Sequence, residues 1–152
     1  IGPMTGVLDV RGIEPLGAYV TPYGQGCDGV YGPVQLGVSG SPHPGSWLTS
    51  TSDSHAANAI GMIVFGVNAV EFGGVPLPVL LDPLFGTVGC RLYTSLDGSF
   101  LMSAGATAPA TMQFGFPVPL AASGAFVVLQ HVGFEAVPGG MSWSNAVAIR
   151  ID

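Results

Sequence analysis

The chain has 152 residues, long enough for one domain with a core of its own. Forty-eight per cent are hydrophobic and only 8% are charged, where an average globular chain carries about 25%. Three basic residues against nine acidic ones, net charge −6, exclude the clustered Lys and Arg that a phosphate backbone requires, and nucleic acid with it.

With so few charges, the outer surface must be built largely from Gly, Ser, Thr, Ala and Pro. Such a surface is weakly solvated and tends to associate with its own kind. No run reaches the ~18 apolar residues of a membrane span; the longest candidate, residues 56–70, is broken by Asn58, Gly61, Gly66 and Asn68. A basic start followed by an apolar core is lacking, and the chain opens on Ile1, which reads as a mature product with its leader removed. Cys27 and Cys90 fit one disulfide in an oxidising compartment, with two buried thiols as the alternative. They are too few for a zinc site.

Glycine and proline punctuate the whole length, and no helical period lasts beyond two turns. Residues 1–16 look like an extended appendage containing a short strand over 7–10. The segment carries Ile1, Met4, Val7, Leu8, Val10, Ile13 and Leu16, too many apolar side chains for a tail in water. Its glycines and prolines forbid a stable helix. Strands follow over 18–23 and over 34–39, where Val34, Leu36 and Val38 alternate with Gln35, Gly37 and Ser39. After the turn at 41–45, residues 47–51 form a strand, with the run Thr49-Ser50-Thr51-Ser52 expected in solvent. Residues 59–67 are almost continuously apolar, which suits a central strand covered on both faces.

Residues 71–74 make a turn. Pro76 and Pro78 confine the next stretch to an edge or a crossing between sheets, since proline offers no donor. Further strands are predicted over 90–96, 100–102, 106–114, 125–132 and 144–151. Seven to nine short strands between regular turns indicate an all-β fold: a single β-sandwich of jelly-roll or Ig-like type over 18–152, with residues 1–17 as an extended N-terminal segment. A closed barrel is the alternative.

Few residues suggest chemistry. His43, Asp53 and His55 could approach one another as metal ligands, but a turn residue and a loop residue account for the first two more simply. A triad can be written from Ser54, His55 and Asp82 only by free choice, and no Gly-x-Ser-x-Gly elbow occurs. The sequence Gly24-Gln25-Gly26-Cys27-Asp28-Gly29 lacks the spacing of a dinucleotide loop. Tyr19, Tyr23, Tyr31, Trp47 and Trp143 could stack on a sugar, or could fill the core. No catalytic residue, cofactor or metal is expected.

Several pieces appear in a fixed order: Tyr23-Gly24-Gln25-Gly26-Cys27, the Pro-Leu-Pro-Val-Leu-Leu stretch, Gly86-Thr87-Val88-Gly89-Cys90-Arg91-Leu92-Tyr93, Val128-Leu129-Gln130, and Ser144-Asn145-Ala146-Val147 before a terminal Ile-Arg-Ile. This pattern resembles a domain recurring in secreted and surface proteins of planctomycete-like and myxobacterial-like bacteria. The resemblance covers roughly residues 20–152. It implies secretion, a β-sandwich and a Cys27–Cys90 bridge, and it implies no catalytic residue.

Two functional expectations follow. The first is a secreted structural protein, a self-associating subunit of an extracellular filament or surface assembly. Its partners are then neighbours of its own kind, and residues 1–16 either fold back over their own domain or pair with the edge of a neighbouring subunit as the connector. The second is a carbohydrate-binding or adhesive module whose partner is an extracellular polysaccharide.

Overall fold

The computed structural model describes residues 17–152. The connector residues Ile1, Met4, Val7, Leu8, Val10, Ile13 and Leu16, and the strand expected over 7–10, lie outside the described residues. The strands are β1 (Tyr19–Tyr23), β2 (Asp28–Gly29), β3 (Gly32–Pro33), β4 (Leu36–Gly40), β5 (Trp47–His55), β6 (Ile60–Gly66), β7 (Glu71–Phe72), β8 (Val75–Pro76) and β9 (Val79–Leu80). A short helix, α1 (Asp82–Phe85), precedes β10 (Arg91–Leu92), β11 (Gly98–Ser103), β12 (Ala110–Pro117), β13 (Phe126–Phe134) and β14 (Met141–Arg150). The fold is all-β, as expected from the sequence.

Two main antiparallel sheets share a core. One has five strands in the order β1-β14-β13-β6-β11, the other three in the order β12-β5-β4. Leu36 and Leu48 from the smaller sheet meet Ile63, Leu129, Val147 and Ile149 from the larger. The near-continuous apolar run in β6 has a clear reason. Ile63 faces this core, while its neighbour Val64 faces the opposite side and packs with Leu81, Leu92, Val132 and Trp143. The excursion between β6 and β11 thus covers the outer face of the large sheet, and β6 is apolar on both sides because both sides are covered.

That excursion is pinned in two ways. Cys90 is bonded to Cys27, with Cα atoms 4.9 Å apart. The buried Gln130 of β13 donates to the carbonyls of Arg91 and Ser144 and accepts from the Tyr93 N–H. Because the backbone at Tyr93 is held by a side chain and not by a ladder, the strand expected over 90–96 shrinks to Arg91–Leu92, paired with β9. The proline stretch runs through the small ribbons β7–β8 and β9–β10, away from any central position. The sequence pattern predicts no helix over 82–85, yet α1 forms there. Pro83 sits in its first turn, where no N–H is needed. Asp82 then accepts from the Gly89 N–H, from Thr87 Oγ and from the Cys90 N–H, which against a smaller effect of burial holds its carboxyl below the usual range.

The Thr49–Ser52 run departs from its expected exposure. It belongs to a strand extending to His55, and Ser50 and Ser52 are fully buried. They are buried because polar partners wait for them across the core.

Candidate functional site

Those partners form a chain of hydrogen bonds through the interior. Glu135 Oε2 lies 2.7 Å from His55 Nδ1, and His55 Nε2 lies 2.8 Å from Ser52 Oγ. Ser52 Oγ is 2.7 Å from His131 Nδ1, His131 Nε2 is 2.9 Å from Ser50 Oγ, and Ser50 Oγ is 3.1 Å from the Phe114 carbonyl. Ser142 Oγ and the Ala56 N–H also donate to Glu135. Strand β5 supplies both serines and His55, β13 supplies His131, and the chain just after β13 supplies Glu135. The network therefore ties the small sheet to the large one.

A bulge makes this alignment possible. Ser52 and His55 are three residues apart, so a regular strand would send them to opposite faces. In the β5–β12 ladder, His55 pairs with Ala110 and Ser52 with Met112, so Asp53 and Ser54 together oppose Thr111. Ser54 takes up the extra residue at φ +67°, a left-handed conformation uncommon outside glycine. Both polar side chains then point inward.

Proton counting gives the relay a direction. A carboxylate only accepts, so His55 Nδ1 donates to Glu135. Ser50 donates to the Phe114 carbonyl, so its oxygen accepts from His131 Nε2, and His131 Nδ1 in turn accepts from Ser52 Oγ. His131 is then neutral. Burial, reinforced by the nearby His55, pushes its pKa down to about 3. Burial pushes Glu135 up, but hydrogen bonds from His55, Ser142 and the Ala56 N–H outweigh it and hold the carboxyl below its ordinary value.

Ser52, His55 and Glu135 thus have the connectivity of a hydrolase triad, with Glu as the orienting acid. A triad needs an exposed nucleophile, and here Ser52, His55 and His131 are each 0% exposed. Ser52 Oγ is also engaged by His131, and neither well-formed cavity described below is lined by any of these groups. The arrangement serves as a structural tie across the core.

The other sequence candidates are dispersed. His43 sits in the turn before β5 and Asp53 accepts from the Gln35 N–H at the surface, while His55 is buried. Among the described residues no three His, Cys, Asp or Glu side chains are grouped to hold a metal. Ser54 and Asp82 are not brought to His55: Asp82 caps its own loop. Of the aromatics, Trp143 is buried in the disulfide cluster with its indole N–H unpartnered, and Tyr19 and Tyr23 are half-buried. Trp47 and Tyr31 are exposed, but Trp47 begins β5 whereas the Tyr31 ribbon lies against Ser54 at its far end, roughly 20 Å along the strand. They do not form one platform.

The accessible feature is an apolar groove of about 350 Å³ between the two sheets. It is lined by Phe65, Phe100, Phe114 and Phe116, with Val127 and Ile151 at one end. Phe100 stacks between Phe65 (ring centroids 5.7 Å apart) and Phe114 (5.2 Å). Its two rims are β11 and β12, the edge strands of their sheets. The Ala104–Met112 bridge ties these strands at one end, and no ladder among the described residues pairs them beyond it. Among the described residues, the rims therefore present backbone N–H and C=O groups with no strand partner beside an apolar floor. Phe100 and Leu101 on β11 are 52% and 72% exposed, so the rim itself is apolar too. Sequence reading missed this groove because its residues come from five separate stretches. A smaller, polar cavity lies beside Gly24, Gln25 and Gln35.

No family model, curated protein or solved structure matches the chain.

Proposed function

We propose that the chain is a secreted structural protein, a self-associating subunit of an extracellular filament or surface assembly. The observation that carries this reading is the apolar groove whose two rim strands are both sheet edges among the described residues. An open edge beside exposed aromatic side chains is a template for another chain, and proteins that stay monomeric blunt such edges with charge, proline or a covering loop. Here β11 contains no charged residue and no proline. Elsewhere the excursion exposes Val67, Val70, Leu84 and Val88, each more than 60% accessible, on a chain with only three basic residues to counter them. The disulfide supports an oxidising, extracellular setting, and no described helix is long and apolar enough to cross a membrane. The reading assigns the chain no catalytic step, since the triad-like relay is sealed in the core.

Sedimentation velocity across a concentration series, with electron microscopy of the same material, tests this. Species larger than one chain that grow with concentration into a regular assembly are expected. A protein that stays monomeric throughout and binds one polysaccharide on a glycan array would replace this reading with that of an adhesive module.

A further inference from the structure

We propose that residues 4–12 of a neighbouring copy fill the apolar groove as an added strand on the open edge of β11. This rests on the reading of the chain as a self-associating subunit and names what one copy receives from the next.

The occupant must satisfy two demands at once. It must present apolar side chains to Phe65, Phe100, Phe114 and Phe116. It must also hydrogen-bond to the unpaired backbone of the rim, which a lipid tail cannot do. An extended peptide meets both demands, its backbone joining the edge and its alternate side chains entering the groove. The sequence Met4-Thr5-Gly6-Val7-Leu8-Asp9-Val10-Arg11-Gly12 has the required alternation. Met4, Gly6, Leu8, Val10 and Gly12 fall on one face without a charge, while Thr5, Val7, Asp9 and Arg11 fall on the other. Nine residues are also long enough to run the full length of either of the rims, which are six and eight residues long.

The choice of a neighbour over the same copy rests on the self-associating reading, and the place where the segment joins the fold sets the geometry of the contact. It leads into β1, the edge of the large sheet opposite β11. Tyr19 lies level with Arg150 and Phe126, so the chain joins at the same end of the sheet as the mouth of the groove near Val127. Four strand spacings separate β1 from β11, roughly 19 Å. A taut crossing within one copy would consume about six residues, 11–16, and would leave residues 4–10 for the groove, so the same copy is the alternative that the cross-linking test separates from a neighbour. A segment from a neighbour enters at full length. Because the donor leaves one edge and the acceptor is the opposite edge, the contact is head-to-tail, and it propagates wherever the rotation does not close.

The test uses the full chain. Leu8→Asp with Val10→Asp places charge on the face that enters the groove. The variant is expected to fold with its disulfide intact by circular dichroism and thiol titration. Its apparent dissociation constant for assembly, read by sedimentation, is expected to rise at least ~100-fold, since charge is excluded from an apolar seat. In parallel, one batch carries Val7→Cys and a second carries Leu101→Cys, whose side chain is exposed on β11. Mixed and treated with a short bis-thiol reagent, they should give a covalent heterodimer, and neither batch alone should do so to the same yield. Assembly that survives the double substitution, with no heterodimer, overturns the strand proposal and leaves the subunit reading standing. A chain carrying both cysteines that cross-links only within one copy, or a double aspartate variant that fails to fold, places the segment on its own domain and overturns the proposal as well. Wild-type protein that is monomeric at every concentration takes down the subunit reading itself.

Discussion

His131 sits fully buried between two serines, and its displaced pKa makes it a source of acid sensitivity. Its folded value of about 3 lies below the ordinary histidine value. Between about pH 6.5 and that value the unfolded chain therefore binds the extra proton and the native protein does not. Stability is full above this window and falls as pH drops through it, by up to ~1.4 kcal/mol per pH unit for this one group. Glu135 adds in the same direction lower down. Its carboxyl is held below its ordinary value, so its contribution is present above that value and disappears as pH falls through the depressed one. Urea melts at stepped pH should show this decline, and His131→Gln should flatten it over the histidine window; an unchanged slope would show that His131 does not carry the effect. Removing the acid has a different signature. Glu135→Leu strips His55 of its buried carboxylate partner and is expected to cost about 3–5 kcal/mol, measured by the same melts at neutral pH.

At the scale of the element, the bulge in β5 decides what the core contains. Ser54 holds the left-handed turn that brings Ser52 and His55 to one face. Ser54→Gly should be neutral or stabilising by up to ~1 kcal/mol, because glycine adopts this conformation freely, whereas Ser54→Val should destabilise by more than that. Thermal melts of the two variants give the comparison, and equal effects would mean that the bulge relaxes. Gly133 of β13 is a second such point. A Cβ there would meet the Glu135 carboxylate, Ser142 Oγ and His55 Nδ1, so Gly133→Ala should disrupt the relay and cost several kcal/mol by unfolding titration. The disulfide acts on the excursion. It spans 63 residues, a separation for which loop closure is worth roughly 4 kcal/mol, and reduction should lower the urea midpoint accordingly. Alkylation of the native protein without reductant should leave both cysteines unmodified.

Across the whole molecule, the shortage of charge sets the character of any association. Contacts built from Phe100, Leu101 and the apolar excursion depend on removing hydrocarbon from water, not on ion pairs. Assembly should respond little to sodium chloride, which screens charges the surface scarcely has. It should strengthen in sulfate, which is excluded from protein surfaces and favours burial. Sedimentation in the two salts at equal ionic strength checks this, and dissociation by sodium chloride would point to electrostatic contacts instead. The net charge of −6 remains as the one global repulsion that such packing must overcome.

The amino-acid sequence by itself determined the all-β class and the approximate place of most strands, because alternation, apolar runs and Gly/Pro punctuation act over a few neighbouring residues. It also marked Cys27 and Cys90 as partners through their matching glycine-flanked settings. It could not reveal the relay. Glu135 and His55 are 80 positions apart, the polar run at 49–52 reads as a solvent face, and only the bulge at Ser54 turns His55 to the side of Ser52. Nor could it reveal the groove, whose rims are edges only because β11 and β12 end their sheets. Strand order is fixed by long-range pairing and by which apolar faces find one another, and no local pattern in the chain records it. The tertiary structure decided which polar groups are sealed inside and which backbone is left open to a partner.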